Sequence, residues 1–181
     1  MSNGASTTDT RARFETSVLA HLDAAYNLAR WLTQNDDAAA DAVQDASLRA
    51  FRFFDSQSGP SAKAWFMAVV RNTCMDWLRD QQKHGRHETY DEDLHALPAA
   101  ARDQPDAALA RAAEAGRVHA CIAALPPDFR EVIVLRELEE MSYKEISAIV
   151  DVPIGTVMSR LSRGRDLLQQ KLQMDNVRRQ S

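Results

Sequence analysis

The chain has 181 residues, of which 45% are hydrophobic and 27% charged, with a formal net charge of −4. This length allows one ordinary domain or two small ones, and the hydrophobic content supports a packed core. The negative charge excludes a protein coated with basic side chains for general nucleic-acid binding, but it leaves room for a local basic face. Cys74 and Cys121 belong to no Cys-x-x-Cys or Cys/His pattern, which favours buried thiols over a disulfide or a metal site.

The N-terminal residues, MSNGASTTDTRARF, carry no apolar core of the kind that a secretion signal requires. No apolar run in the chain approaches the roughly 18 residues that cross a membrane. We therefore expect a cytoplasmic protein that does not insert into a membrane, with a disordered segment over residues 1–13.

Helical spacing of apolar residues dominates the first half of the chain, where alternating runs of β-branched residues are absent. The stretch from Gln34 to Asp37 ends a first helix and supplies N-cap residues for a second. Gly59 and Pro60 mark the loop that separates the second helix from a third. The predicted helices cover residues 14–33, the stretch after residue 37 up to about 54, and residues 62–82.

The composition changes between residues 83 and 108, where prolines and acidic residues replace the helical periodicity. We interpret this stretch as a flexible linker. The sequence then predicts an all-α fold of two small helical domains, over residues 14–82 and 109–173, with a disordered tail over residues 174–181.

Residues 142–168, SYKEISAIVDVPIGTVMSRLSRGRDLL, show two helical patterns separated by a short turn. Ser142 and Glu145 form the Ser-x-x-Glu pattern of a capping box at the start of the first helix. Asp151 stands at the end of that helix, where it tolerates a left-handed backbone, and Pro153 suits the start of the next helix. Two short helices joined in this way form a helix-turn-helix. The upstream stretch LPPDFREVIVLRELEEM is typical of a helical scaffold for this motif.

The second helix of the motif has an apolar and a polar face. Apolar or small residues recur every three or four positions and predict the buried face: Val157, Leu161, Gly164 and Leu168. Gly164 in this stripe predicts the close approach of another helix. Serine and arginine on the other side suit a DNA major groove, because arginine bonds guanine and serine bonds bases or phosphates. This side comprises Gly155, Ser159, Ser162, Arg163 and Asp166, flanked by Met158, Arg160 and Arg165. A solvated face on an ordinary helical hairpin is the alternative interpretation.

The second predicted helix of the first domain carries a polar face of its own. Asp41, Gln44 and Asp45 are spaced so that they lie on one side of the helix. Such a face either docks on a basic helical partner or is simply solvated.

The third predicted helix combines an apolar side with a side that bears basic and amide groups. Arg71, Asn72 and Arg79 lie beside a loop of small polar residues, an arrangement that suits single-stranded nucleic acid. The aromatic residues Trp65 and Trp77 are interpreted as core rather than as stacking platforms for bases.

In order and content these elements resemble the extracytoplasmic-function class of bacterial sigma factors, in the sigma-70 family. The resemblance covers about residues 14–172. LPPDFREVIVLRELEEMSYKEISAIVDVPIGTVMSRLSRGRDLLQQKL resembles region four of that family, including the Gly-Thr-Val-x-Ser-Arg-Leu core at residues 155–161. AWFMAVVRNTCMDWLR resembles regions 2.3 and 2.4, and DAVQDASLRAF resembles region 2.2.

The resemblance implies a factor that binds core RNA polymerase and directs promoter-specific initiation, with no catalytic residues, cofactor or metal. It implies docking of region 2.2 on the clamp helices of the polymerase β′ subunit through Asp41, Gln44 and Asp45. Region four, beside the polymerase β flap, is expected to read the −35 promoter element through Thr156, Ser159, Arg160, Arg163 and Arg165. Region two is expected to open and hold the −10 element through Lys63, Arg71, Asn72 and Arg79. An anti-sigma factor and association with the nucleoid are further expectations.

The helix-turn-helix departs from the family pattern at two positions. Met158 stands where a basic residue is common, and Asp151 replaces a common glycine, which leaves the −35 preference open. Two other functions also stay open: a helix-turn-helix regulator that acts without polymerase, and a sigma-like decoy that sequesters an anti-sigma factor. The regulator has no use for the helix around residues 41–51, and the decoy has no need of DNA contacts.

Overall fold

The computed structural model describes residues 3–57, 59–83 and 105–180. Over these residues the chain forms α-helices joined by short turns and contains no strand, so the predicted all-α fold class is confirmed. No helix in these ranges combines the length and the apolar character needed to cross a lipid bilayer. The helices are α1 (Asn3–Ser17), α2 (Leu22–Thr33), α3 (Asp36–Arg52), α4 (Ala62–Lys83), α5 (Pro105–Ala123), α6 (Pro127–Ile133), α7 (Tyr143–Val150) and α8 (Ile154–Gln180). Short 3-10 turns span Leu19–His21 and Phe54–Ser56, and a π-helical turn spans Val134–Leu138.

Helices α2, α3 and α4 pack against one another and form the first domain. One side of α3 is a stripe of buried alanines, whose small side chains let its backbone approach α2 and α4 closely: Ala39, Ala42, Ala46 and Ala50. Leu28 of α2 and Phe66 of α4 fill the remaining space and are fully buried. The Asn35 side chain caps α3 by accepting a hydrogen bond from the backbone N–H of Ala38 at 2.8 Å. This cap lies within the stretch where the sequence predicts it.

The N-terminal end differs from the expected disordered segment over residues 1–13, because α1 is helical from residue 3. Its last turn is held by Phe14, whose ring makes edge contacts with Phe51 at 5.1 Å and with Phe54 at 5.4 Å between centroids. The 3-10 turn before α2 then divides the helix that was predicted over residues 14–33.

Helices α5 to α8 and the π-helical turn form the second domain. Its core consists of apolar side chains that are at most 1% exposed: Ile133, Leu135, Ile146, Val157 and Leu161. Gly164 of α8 faces Ile133 of α6 so closely that a Cβ on Gly164 would lie 3.0 Å from Cγ1 of Ile133. The predicted close approach of another helix to this glycine is therefore observed.

The helix-turn-helix forms from α7 and α8 as the sequence predicts. The Ser142 hydroxyl accepts a hydrogen bond from the backbone N–H of Glu145 at 3.3 Å, and the Glu145 carboxylate accepts one from the Ser142 N–H at 3.0 Å. Asp151 ends α7 with a left-handed φ of 54°. The Pro153 carbonyl accepts two hydrogen bonds from the first turn of α8, so Pro153 stands immediately before that helix.

The C-terminal end also differs from the expectation of a disordered tail over residues 174–181, since α8 extends to Gln180. Arg117 of α5 fixes this end: its Nε donates to Asp175 at 2.8 Å, and its Nη2 donates to the Asn176 side chain. Most of the predicted linker, residues 84–104, lies outside the described residues. Residues 105–108 of that linker form the first turn of α5.

The two domains pack against each other, with α4 on α7 and α2 on α6. Arg130 of α6 donates to the backbone carbonyl of Trp31 at 3.3 Å. The rings of Trp31 and His119 lie 4.2 Å apart between centroids, and Gln34 donates to the carbonyl of Ala123 at 3.2 Å. These contacts join α2 to the second domain in a closed arrangement.

Candidate nucleic-acid and polymerase interfaces

The outward side of α8 carries a short row of polar side chains. Ser159 and Arg163 are exposed one turn apart, and no residue in the described ranges forms an ion pair with Arg163. Thr156 is half-buried, and its carbonyl accepts a hydrogen bond from the Ser159 hydroxyl at 3.0 Å. On the opposite side Val157 and Leu161 are buried. α8 therefore has the two-sided character that lets a helix pack inward and present its outer side to a major groove about 12 Å wide.

Arg160 and Arg165 are held by carboxylates that come from the elements preceding the motif. Arg160 donates to Asp128 at 3.0 Å. Nε and Nη2 of Arg165 both donate to Oε1 of Glu137, at 2.9 Å and 2.7 Å. The hydrogen bond with Glu137 raises the pKa of Arg165 above its ordinary value, so the guanidinium stays charged. Both arginines are thus oriented by the scaffold upstream of the motif.

The outward face of α3 holds the three predicted polymerase-binding residues together. Asp41 and Gln44 are exposed, and the half-buried Asp45 pairs with Arg49 at 2.8 Å. Leu48 is 56% exposed and continues the same face by one turn. Leu48 was not predicted among the polymerase-binding residues, although it follows Asp41 by seven residues, a spacing that places both on one helix face.

The four residues predicted to bind the −10 element occupy two different sides of the first domain. Asn72 and Arg79 are exposed to solvent, and Arg79 donates to Asp76 at 2.7 Å. Lys63 and Arg71 lie on the side of α4 that faces the second domain. The structure thus brings the four residues together only as two separate pairs.

Glutamates of the second domain bind Lys63 and Arg71, the two residues that face inward. Arg71 donates from Nε to Oε1 of Glu131 at 2.6 Å, and the Glu131 side chain is only 2% exposed. Lys63 donates to the backbone carbonyl of Glu139 at 2.9 Å, and its Nζ lies 3.9 Å from the Glu139 carboxylate. Burial raises the pKa of Glu139, against the hydrogen bond from Asn27 and the charge of Lys63, which lower it.

Ser61 links the start of α4 to the helix-turn-helix. Its hydroxyl accepts a hydrogen bond from the backbone N–H of Ala64 at 3.1 Å and donates to Oε1 of Glu145 at 2.7 Å. Burial raises the pKa of Glu145, but the hydrogen bonds from Ser142 and Ser61 outweigh it, and the pKa lies below its ordinary value. The same carboxylate therefore belongs both to the capping box and to the contact between the domains.

Both cysteines are buried free thiols. Burial raises the pKa of Cys74 to about 12 and also raises the pKa of Cys121. Within residues 3–57, 59–83 and 105–180, no group of histidine, cysteine, aspartate and glutamate side chains is placed to hold a metal ion.

Comparison with known proteins assigns a family to each domain. The model of sigma-70 region 2 matches residues 18–84, and the model of sigma-70 region 4 matches residues 115–168. The ECF RNA polymerase sigma factor SigE of Mycolicibacterium smegmatis is 32% identical over 152 residues, which is 84% of this chain. The chain spans 58% of the length of that relative. The ECF RNA polymerase sigma-E factor of Escherichia coli K12 is 35% identical over 139 residues, 74% of this chain and 73% of that protein.

A solved structure has the same arrangement of helices. The sigma factor RpoE from Bartonella quintana, crystallised with the anti-sigma factor NepR, superposes with a TM-score of 0.69 and 29% sequence identity. The match covers 87% of this chain and 94% of that one. The region 2 match contains α2 to α4, and the region 4 match contains α6, α7 and the first half of α8. The chain belongs to the extracytoplasmic-function RNA polymerase sigma factors of the sigma-70 family.

Proposed function

We propose that this chain binds core RNA polymerase and directs it to a limited set of promoters in a stress or environmental response. One observation carries the proposal: the chain has two separate outward faces, on α3 and on α8, each backed by a buried side. A factor that joins polymerase to a promoter needs both faces. A regulator that binds DNA alone uses only the second.

The α3 face docks on the β′ clamp helices through Asp41, Gln44 and Asp45. Leu48 adds an exposed apolar side chain at the end of this polar row, and apolar anchors among polar contacts are typical of protein interfaces. Both side chains of the pair between Asp45 and Arg49 are about half exposed, and such a helix pair contributes only about 0.3–0.5 kcal/mol, so it leaves the carboxylate available to a partner.

The α8 face reads the −35 element, and the second domain contacts the polymerase β flap. Ser159, Arg160 and Arg163 approach base edges, while Thr156 and Arg165 contact phosphates. The ion pairs that hold Arg160 and Arg165 are partly exposed, and such pairs contribute about 0–1 kcal/mol. DNA phosphates and guanines therefore compete well for these two arginines.

The first domain opens the −10 element and holds its unstacked base in the loop before α4. Asn72 and Arg79 are accessible for this role in the closed arrangement. Lys63 and Arg71 are bonded to Glu139 and Glu131, so they reach DNA only after the two domains separate.

An anti-sigma factor is the expected inhibitor of this chain. The likeness to RpoE, whose structure contains the anti-sigma factor NepR, supports this partner. Release from the inhibitor brings the chain to polymerase and hence to the nucleoid.

In vitro transcription tests the proposal. The full chain and core polymerase are incubated with a promoter library, alongside Arg160→Ala, Arg163→Ala and the control Lys171→Ala. The control removes a positive charge from α8 outside its outward face. We expect selective initiation that the first two substitutions abolish and the control retains.

Two results would support the alternatives. Tight binding to core polymerase without initiation at any promoter indicates a decoy for an anti-sigma factor. Specific DNA binding without any binding to polymerase, and insensitive to Asp41→Ala, indicates a regulator that acts alone.

A further inference from the structure

Two large apolar side chains are exposed at the start of α8, on the flank of its outward face. Ile154 is 44% exposed and Met158 is 53% exposed. They are four residues apart in the first two turns, so their side chains are neighbours on the helix surface. Ser159 directly follows Met158 and is exposed, so the apolar pair borders the face proposed to enter the major groove.

The chemistry of these side chains selects one kind of base. The major-groove edge of thymine carries a 5-methyl group, whereas the edges of guanine and cytosine offer hydrogen-bond acceptors and donors. Ile154 and Met158 have no N–H or O–H donor and bind well to a methyl group. Met158 also stands where the family often has a basic residue, which would favour guanine or phosphate.

We propose that Ile154 and Met158 set the −35 preference of this factor by packing against the 5-methyl group of thymine. The proposal rests on the proposed function, because it requires α8 in the major groove of the −35 element. Arg163 supplies the positive charge that holds the helix to DNA. At Gly155 a Cβ would meet no atom within 4 Å, so the surface between the two apolar side chains is open to the groove.

The test removes the methyl group alone. Holoenzyme assembled from the full chain binds labelled duplexes of a promoter selected from a library, in which each −35 thymine is replaced in turn by 2′-deoxyuridine. At the contacted thymine we expect affinity to fall about fourfold, the effect of one buried methyl group. Met158→Ala or Ile154→Ala should abolish this sensitivity. Met174→Ala changes a methionine of the same helix that is 65% exposed outside this face and should preserve it.

The outcomes separate this proposal from the function on which it rests. If no uridine replacement changes affinity while Arg163→Ala abolishes promoter binding, thymine recognition is wrong and the sigma function stands. If Met158→Ala leaves the uridine effect intact but weakens binding to core polymerase without DNA, the pair belongs to a protein interface and the proposal is overturned. Holoenzyme that initiates at no promoter overturns both.

The interface between the domains carries a separate feature. Arg71 and Lys63, both proposed to contact the −10 element, are held by glutamates of the second domain. Arg71 donates to the Glu131 carboxylate, and Lys63 donates to the Glu139 backbone carbonyl with the Glu139 carboxylate 3.9 Å from its Nζ. Guanidinium and ammonium groups donate the same N–H bonds to carboxylate and to phosphate oxygens. A carboxylate 2.6 Å from Nε of Arg71 therefore occupies the direction in which a phosphate would bind.

We infer that these two carboxylates take the place of −10 DNA phosphates, so the closed arrangement and −10 DNA exclude each other. The Glu131 side chain is 2% exposed and that of Glu139 is 8% exposed. Both carboxylates are therefore held in place at the contact between the domains rather than in bulk solvent. This inference also rests on the proposed function of Lys63 and Arg71. It makes the contact between the domains a brake on DNA binding by the free chain.

The double variant Glu131→Gln with Glu139→Gln tests the brake. We expect it to bind a labelled single-stranded −10 oligonucleotide about tenfold more tightly than the wild-type chain, the effect of losing a hydrogen bond between charged groups. Small-angle scattering should show a larger radius of gyration. Glu114→Gln removes the same charge from a glutamate that pairs with Arg117 inside the second domain, and it should change neither quantity.

Two results contradict the brake. The first is a double variant as compact as Glu114→Gln and no better at binding the oligonucleotide. The second is tighter binding that persists undiminished when Arg71→Ala is added, because the gain would then not pass through Arg71. Wild-type holoenzyme that fails to initiate transcription counts against the proposed function instead.

Discussion

Replacing Gly164 by alanine tests how tightly α8 is packed against α6. A Cβ at this position would lie 3.0 Å from Cγ1 of Ile133, 3.4 Å from Cδ1 of Ile133 and 3.4 Å from Cβ of Phe129. Ile133 is fully buried, so its side chain has little room to withdraw. The substitution therefore forces a small shift of α8 away from α6.

Two opposing terms decide the size of the effect. Alanine favours a helix over glycine by about 1 kcal/mol, because it loses less backbone entropy on folding. Overpacking a well-packed core costs about 1–3 kcal/mol. We expect Gly164→Ala to lower the free energy of unfolding by about 1 kcal/mol, which corresponds to a fall in Tm of roughly 2–4 °C.

Gly155→Ala is the matched control, because it is the same substitution in the same helix. A Cβ at Gly155 meets no atom within 4 Å, so only the helix-propensity term acts and stability should rise by up to about 1 kcal/mol. Urea unfolding followed by far-UV circular dichroism measures both variants. If both substitutions shift the midpoint in the same direction by the same amount, the packing argument for Gly164 is wrong.

Three further predictions concern single side chains. Ser142→Ala removes one half of the capping box and should lower the free energy of unfolding by about 1 kcal/mol; an unchanged urea midpoint would contradict the role of the cap. Since the pKa of Cys74 is about 12, only about one thiol in ten thousand is ionised at pH 8, so Cys74 in a Cys121→Ser chain should react with a disulfide reagent only after unfolding. Burial raises the pKa of Glu139, so its folded form binds more protons than the unfolded form, and this contribution to stability falls as pH rises from the ordinary carboxyl pKa through the raised one. Glu139→Gln should therefore gain stability relative to wild type over that pH range, measured by urea unfolding at several pH values, and a constant difference would refute the assignment.

The helix-turn-helix was predictable in detail because its signals are local. The capping box joins Ser142 to Glu145 within one turn, and Asp151 occupies the left-handed position for which its short side chain is suited. The buried stripe of α8 follows from helical periodicity alone, and the small residue at Gly164 marked the approach of α6. These features need no knowledge of how distant segments meet.

The surroundings of Arg71 were not predictable, because they depend on a contact between residues 60 positions apart. The sequence pattern groups Arg71 with Asn72 and Arg79 on one side of α4. Successive helical residues are about 100° apart, and the packing of the second domain against α4 divides the group by placing Arg71 inward beside Glu131 of α6. α1 was missed for the same reason, since its anchor is the distant contact of Phe14 with Phe51.

The contact between Arg117 and Asp175 joins the C-terminal end of α8 to α5, so a tilt imposed there displaces the other end of the helix. From Thr156 to Asp175 the helix rises about 28 Å, at about 1.5 Å per residue. A tilt of about 10° imposed at the α5 end moves the outward face by about 5 Å, which exceeds the 3.4 Å between successive base pairs. α5 directly follows residues 84–104, the segment that joins the two domains. If α8 reads promoter DNA as proposed, a displacement of α5 therefore changes which base pairs its outward face meets.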